Sequence, residues 1–342
     1  SILNVKTLIY KHLFKMNTKT TFIILVLIYV SSFVASLYLF YPFKLSFSNF
    51  LPSIVDIHGK TLDGIILYNI RLPRSIMCLL AGMALSTAGL LLQALVRNPI
   101  ASPTILGINS GCILAMVVIS TGAVEIFTRV NLTLGAALGG VLAWLIVMTI
   151  SYSPRGFNKS KLILAGITVS LLLMSISRII IIFNDDRALS ILSWIAGSFN
   201  NIQWNDILNN VIFSLPCFTI VILLSHKLNI LLLNDESVKS LGLNLKALKV
   251  LICILALLLT ASSVSIVGTI GFVGLLSPHI AAYLVGIDNR KKIFASILIG
   301  GILTLVSDTL SRAIFFPAEI PAGLIVALIG APYFLYIAIR KI

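Results

Sequence analysis

The sequence has few charged residues and few polar stretches long enough to form a soluble domain. Charged side chains make up 11% of the 342 residues and hydrophobic side chains 58%, and the mean hydropathy is +1.08. A soluble domain carries about 25% charged and about 45–50% apolar residues. The scarcity of charge therefore excludes an ordinary soluble protein and indicates a chain that spans a membrane several times.

Two kinds of site are also missing from the sequence. The four cysteines stand singly in apolar runs, so neither a disulfide framework nor a cysteine metal site is indicated. The loop that cradles nucleotide phosphates, Gly-x-x-x-x-Gly-Lys-Ser/Thr, does not occur. We therefore expect no metal and no cofactor on this chain, and we expect a separate subunit to bind any ATP and Mg²⁺ that its work requires.

Apolar runs of about 17–25 residues, the length that crosses a bilayer as a helix, recur along the chain. They are too long and too uniformly apolar for the alternating strands of a membrane barrel. We predict an all-α, polytopic integral membrane protein with a single transmembrane domain over residues 1–342 and about ten helices. The predicted spans lie near residues 20–41, 70–95, 104–122, 132–152, 161–183, 206–225, 249–268, 271–286, 293–313 and 321–339.

Positive charge is distributed unevenly among the segments that connect these spans. With the amino terminus in the cytoplasm, 17 of the 25 lysines and arginines fall on the cytoplasmic side, where such residues are retained. An even number of spans then returns the carboxyl terminus to the cytoplasm. This topology accounts for the net charge of +14, and we expect lipid rather than nucleic acid around the chain.

Three arginines lie at the predicted outer ends of spans, on the side where cations are disfavoured. Arg71 and Arg74 stand one helical turn apart, and Arg312 lies at the end of the ninth span. Guanidinium groups pair well with carboxylates, so we predict that these residues are ready to dock an external protein. Anchoring to lipid headgroups is the alternative.

The predicted cytoplasmic loop 226–248 contains the pattern of a short amphipathic helix with an acidic first turn. Asparagine suits the cap of such a helix, and glycine suits the position after its end. Acidic residues match an anionic leaflet poorly, which favours docking of a cytosolic protein over binding to the membrane surface. The predicted docking residues are Asn234, Asp235, Glu236, Lys239 and Gly242.

A proline-containing turn follows the second predicted span, at Asn98, Pro99 and Ile100. Broken helices beside a translocation path expose backbone carbonyl and amide groups. These three residues are therefore a candidate inner gate. A plain turn between two helices explains the same residues equally well.

Arg178 and Asp308 lie inside apolar runs, where charged residues are often functional, but the sequence assigns neither a partner. It also leaves the role of His279 open. A secondary carrier driven by an ion gradient is an alternative class of function, because such carriers place ionisable groups at the bilayer midplane. An intramembrane enzyme is disfavoured, since Ser110 lacks an assignable histidine partner and no further acidic repeat accompanies the pair Asp185 and Asp186.

Short motifs rich in glycine and proline occur in a fixed order between residues 65 and 340. They are Arg71-Leu-Pro-Arg74, Arg97-Asn-Pro-Ile-Ala-Ser-Pro103, Leu106-Gly-Ile-Asn-Ser-Gly111, Leu164-Ala-Gly-Ile167, Trp194-Ile-Ala-Gly197, Ser240-Leu-Gly242, Gly271-Phe-Val-Gly274, Pro278-His-Ile280, Pro317-Ala-Glu-Ile-Pro321 and Gly330-Ala-Pro332. In these motifs the chain resembles the iron-chelate and cobalamin uptake permeases of binding-protein-dependent ABC importers. It is most similar to the permeases for ferric citrate and related ferric siderophores.

The resemblance implies a type II ABC importer permease bundle in the bacterial cytoplasmic (inner) membrane. The implied partners are a second, identical or sister permease, two cytosolic ATPase subunits and an extracytoplasmic substrate-binding protein. Arg71, Arg74 and Arg312 would receive glutamates of the binding protein, and the cytoplasmic loop would sit in a cleft of the ATPase. The implied cargo is an iron(III) chelate moved by ATP-driven alternating access, with no catalytic residue on this chain; import of cobalamin or haem is the alternative.

Overall fold

The structure is a computed structural model that describes residues 17–41, 61–122, 132–151, 159–184, 191–231 and 245–341. Within these ranges the chain is helical and contains no strand. A short helical segment at residues 191–195 precedes the sixth of ten longer helices. The ten are α1 Thr18–Tyr38, α2 Leu62–Val96, α3 Ile108–Thr121, α4 Leu132–Ser151, α5 Lys159–Ile182, α6 Trp204–Ile230, α7 Leu245–Val267, α8 Val273–Val285, α9 Asn289–Ile314 and α10 Ala322–Lys341.

The all-α membrane fold predicted from the sequence is confirmed. The ten helices follow the ten predicted spans in order along the chain. In the described part of the chain, seven helices are long and apolar enough to cross a membrane, and shorter apolar helices lie within α3, α8 and α10. The chain is therefore a multi-pass membrane protein.

The start of α2 differs from the prediction. The helix begins at Leu62, eight residues earlier than expected, where the Thr61 hydroxyl accepts a hydrogen bond from the Gly64 N–H at 3.1 Å. A single wide turn follows, in which the Leu72 N–H bonds to the Leu67 carbonyl five residues back. Pro73 comes next and has no N–H to donate, so the wide turn lets the helix continue through it.

The predicted cytoplasmic loop 226–248 is too long at both ends. Helix α6 continues to Ile230, and α7 begins at Leu245. The connecting residues 232–244 lie outside the described residues. The predicted docking residues Asn234, Asp235, Glu236, Lys239 and Gly242 lie in that segment, so their role stays a prediction.

Helix α2 forms the buried centre of the bundle, and α9 packs closely along it. A Cβ atom on Gly82 would overlap the backbone of Gly300, and one on Gly300 would overlap the backbone of Gly82. Hydroxyl groups join the helices on either side of this contact. Thr304 Oγ1 donates to the Cys78 carbonyl at 2.6 Å, and Ser86 Oγ donates to the Ser296 carbonyl at 2.6 Å. Along these contacts the residue numbers rise in α2 and fall in α9, so the two helices are antiparallel.

Candidate functional site

A cluster of charged side chains lies where the end of α1, the wide turn of α2 and the last turns of α9 meet. We call it the arginine cluster. It contains three arginines, two carboxylates and one tyrosine, and joins segments far apart in sequence: Tyr41, Arg71, Arg74, Asp308, Arg312 and Glu319.

Asp308 is the centre of the cluster and is completely buried. Arg74 binds the Asp308 carboxylate through two nitrogens. Its Nε lies 3.1 Å from both carboxylate oxygens, and its Nη2 lies 2.8 Å from Oδ1. The remaining terminal nitrogen of Arg74, Nη1, donates to Glu319 Oε2 at 2.9 Å. The planar guanidinium thus bridges two carboxylates, an arrangement that lysine would not reproduce.

Arg312 binds the same carboxylate from the next turn of α9. Its Nη2 lies 3.2 Å from Asp308 Oδ2, four residues earlier in the helix. Its Nη1 donates to the Leu39 carbonyl at 2.9 Å, and its Nη2 also donates to the Ser36 carbonyl at 3.2 Å. Arg312 therefore ties α9 to the end of α1.

Arg71 ties α2 to the end of α1. Its Nη1 donates to the Leu37 carbonyl at 2.8 Å. Carbonyls in the last turn of a helix carry partial negative charge, and the last turn of α1 has no basic residue of its own. Arg71 and Arg312 supply that missing positive charge from two other helices.

The Tyr41 ring lies between two guanidinium groups. The Cζ atoms of Arg71 and Arg312 are each 4.2 Å from the ring centroid. Such contacts are worth about 0.5–2 kcal/mol, with the larger values where water is excluded. The ring therefore helps to hold two like charges close together.

Within the cluster, Asp308 pairs with Arg74 and Arg312, and Glu319 pairs with Arg74. The Arg74–Glu319 pair is its most accessible part, since the Glu319 side chain is 21% exposed whereas that of Asp308 is fully buried. The Glu319 edge is therefore the part of the cluster that lies nearest the surface.

The three arginines predicted to dock an external protein are not exposed in this structure, and their docking role stays a prediction. Each is buried and bonded within the chain. The sequence does place them at one end of the bundle. It does not reveal that Asp308, left without a partner, joins Arg74 across 234 positions. The sequence gives a signal only for the second partner of Asp308, because Asp308 and Arg312 stand four residues apart on one helix.

The candidate gate is a hydrogen-bonded turn. Arg97 ends α2 in the left-handed conformation, with φ of 53°, and the Asn98 N–H bonds to the Gln93 carbonyl at 3.2 Å. The Asn98 side chain accepts from the Ile100 N–H at 3.1 Å, and the Asn98 carbonyl accepts from the Ala101 N–H at 3.1 Å. This geometry is that of an ordinary helix-ending turn, and a gating role stays a prediction.

A second polar group lies at the opposite ends of α2 and α9, beside the start of segment 232–244. Asn229, in the last turn of α6, donates from Nδ2 to Asp288 Oδ1 at 2.7 Å and accepts the Asn289 N–H on Oδ1 at 2.8 Å. We call Asn229, Asp288 and Asn289 the asparagine link. The hydrogen bonds from Asn229 and from the Arg290 N–H hold the pKa of Asp288 below its usual range, so the carboxylate is ionised at neutral pH.

Arg178 and His279 have different surroundings. Arg178 is exposed on α5, although most of its helix is apolar. His279 packs against the edge of Tyr333, with the ring centroids 6.2 Å apart. Neither residue belongs to the arginine cluster or to the asparagine link.

A cavity of about 310 Å³ opens among α3, α4, α7 and the segment at 191–195. Its lining is mainly apolar and includes none of the predicted site residues: Met116, Val117, Ser120, Leu132, Ile191, Trp194 and Ser265.

Comparisons with known proteins match the chain along almost its whole length. The Fe(3+) dicitrate transport system permease protein FecC of Escherichia coli strain K12 is 38% identical, over 90% of this chain and 93% of the relative. The Fe(3+)-citrate import system permease protein YfmD of Bacillus subtilis strain 168 is 37% identical, over 81% and 82%. A solved structure described as an inward-facing conformation of a metal-chelate type ABC transporter is 28% identical, with a TM-score of 0.79, and the match covers 95% of this chain and 100% of that chain.

The family model of the FecCD transport family matches residues 21–340. These matches confirm the resemblance found in the sequence motifs, and the chain belongs to the FecCD transport family.

Proposed function

We propose that this chain is a permease subunit of a binding-protein-dependent ABC importer and that its cargo is an iron(III) chelate of the ferric citrate type. The observation that carries the proposal is the match, over nine tenths of the chain, to a relative named for transport of ferric dicitrate. Family membership and the polytopic helical fold support the permease role. The chain performs no covalent chemistry, and partner ATPase subunits bind ATP and Mg²⁺.

The arginine cluster is the proposed docking site for an extracytoplasmic binding protein loaded with substrate. Its three guanidinium groups suit the carboxylates of an acidic partner, and a complementary charge speeds encounter and fixes orientation. Because Arg71, Arg74 and Arg312 are buried, docking requires the accessible edge at Glu319 to open. A carboxylate of the binding protein would then take the place of Glu319 on Arg74.

The exposed face of α5 is the proposed contact with the second permease and the transport route. Arg178 lies on that face together with Thr168 and Ser175, which are also exposed. Arg178 lies one turn before the end of this helix, and the two hydroxyl groups lie further along the same face. Together these polar groups suit a protein or water-filled surface better than lipid.

The segment 232–244 is the proposed docking element for the ATPase, with both chain termini on the same, cytoplasmic side. Removal of residues 234–242 should abolish ATP-dependent uptake while the permease still inserts into the membrane. Normal uptake by this variant would contradict the coupling role.

Uptake of radioactive ferric citrate into proteoliposomes tests the proposed function. The vesicles contain the permease and its ATPase, with ATP inside and the binding protein outside. We expect accumulation that requires all three proteins and ATP. Accumulation that follows a proton or sodium gradient and ignores ATP would support a secondary carrier, and accumulation by the permease alone would also contradict the proposal.

A further inference from the structure

Helices α2 and α9 both extend from the arginine cluster to the residues directly before segment 232–244, Asn229 to Leu231, which we call the root of the segment. Helix α9 has 26 residues and is therefore about 39 Å long at 1.5 Å per residue. One of its ends carries Asp308 and Arg312, and the other carries Asn289 of the asparagine link. Two distant sites thus share one continuous helix.

Helix α2 makes the same connection independently. Arg74 lies in the arginine cluster near the start of this helix, and Arg97 follows its last residue. Arg97 Nε donates to the Leu231 carbonyl at 2.7 Å, directly before segment 232–244 begins. The root of the segment is therefore held by both members of the central helix pair.

The contacts between α2 and α9 favour their movement as one body. The helices approach closely at Gly82 and Gly300, and hydroxyl–carbonyl bonds lie on either side of that point. Close-packed helices transmit displacement because their interface has little free space. A shift of the pair at the asparagine link would therefore reach the arginine cluster.

The asparagine link has unambiguous polarity. A backbone N–H can only donate and an ionised carboxylate can only accept, so the Asn229 oxygen must face Asn289 and its nitrogen must face Asp288. Helix α6 ends within two residues of Asn229, at Ile230. Asn229 is thus the side chain that joins the helix leading into segment 232–244 to the first turn of α9.

We propose that Asn229 is a positioning residue that passes displacement of segment 232–244 to the arginine cluster through α9, with Arg97 making the parallel connection through α2. This proposal rests on the proposed function, in which the segment docks on the ATPase and the cluster docks the binding protein. Coupling between two sites is reciprocal, so ATP binding changes the affinity for the binding protein by the same factor by which the binding protein changes the affinity for ATP.

The test measures the dissociation constant of a binding protein loaded with ferric citrate for the reconstituted permease–ATPase complex, with and without a non-hydrolysable ATP analogue. The ratio of the two constants reports the coupling. In N229D two carboxylates face each other across the link, which breaks the contact. We expect the coupling ratio to come closer to one than the wild-type ratio by a factor of about five or more. The affinity measured without nucleotide should stay at the wild-type value. The matched control is N209D, the same substitution at an exposed asparagine of α6.

The exchange variant N229D/D288N separates coupling from folding. It restores an amide–carboxylate pair with reversed polarity and keeps an acceptor for the Asn289 N–H, so we expect the ratio to return to the wild-type value. If N229D does not assemble, N229A replaces it, because it removes the contacts without adding a charge.

A wild-type ratio in N229D or N229A overturns the proposal, as does an assembled exchange variant that stays uncoupled. Wild-type complex that binds no loaded binding protein overturns the proposed function itself.

Discussion

At the scale of single residues, the stability of the arginine cluster depends on Asp308. Its carboxylate pairs with Arg74 and Arg312 at one buried point. Removing one member of a buried ion pair leaves an uncompensated charge, and this typically costs about 3–5 kcal/mol. Glu319 differs because its pair with Arg74 is partly exposed, where such pairs are worth about 1 kcal/mol or less.

We therefore expect D308N to lower the free energy of unfolding by about 3–5 kcal/mol. E319Q, which removes the exposed charge of the same cluster, should lower it by about 1 kcal/mol or less. Unfolding of the purified permease by sodium dodecyl sulfate in mixed micelles measures both values. Equal losses in the two variants would contradict the central role of Asp308.

Sequence reasoning at this scale identified the residues but missed their surroundings. The cation distribution singled out Arg71, Arg74 and Arg312. It could not show that they are buried, because their acceptors lie at the end of α1 and in Asp308, at positions set only by tertiary packing. Local patterns contain no information on pairings between helices far apart in the chain.

At the scale of helices, the sequence predicted the elements well because apolar length alone defines a span. The ends were predicted less well because polar side chains decide them. Helix α2 gains more than two turns through the Thr61 cap and the wide turn before Pro73, and α9 begins at Asn289 because the Asp288 side chain caps it. The contact between α2 and α9 rests on glycines, whose partners no single-sequence pattern names.

G82A should lower the free energy of unfolding by about 1–3 kcal/mol, because the new methyl group meets the Gly300 backbone. This loss arises although alanine is favoured over glycine within a helix by about 1 kcal/mol. The control is G271A, since no described atom lies within 4 Å of a Cβ placed there, and its effect should stay within about 0.5 kcal/mol. The same detergent titration compares them, and a neutral G82A would show that the two helices separate readily.

At the scale of the whole molecule, the exposed surface of α5 differs from that of α4 because it carries polar and charged side chains. Arg178 and Ser175 are exposed on it, whereas the exposed face of α4 around Leu142 is apolar. In the proposed assembly, the α5 face around Ser175 lines the water-filled route beside the second permease, and the α4 face meets lipid.

S175C should therefore react with a membrane-impermeant maleimide in the assembled complex faster than L142C does, although Leu142 is 61% exposed in the single chain. The native thiols give little background because Cys78, Cys112, Cys217 and Cys253 are buried. Mass spectrometry of the labelled protein measures both rates. Faster labelling of L142C would place the aqueous surface elsewhere.

The attachment of Arg312 to the end of α1 has a consequence for biogenesis. The donor and the Leu39 carbonyl that accepts from it are 273 positions apart, so the contact joins two helices that are made far apart in time. While the ribosome is still producing the middle of the chain, Arg71 and Arg74 already exist but Asp308 does not. We therefore expect these cations to stay hydrated near the membrane surface until translation reaches the ninth helix, and the arginine cluster to form only after that point.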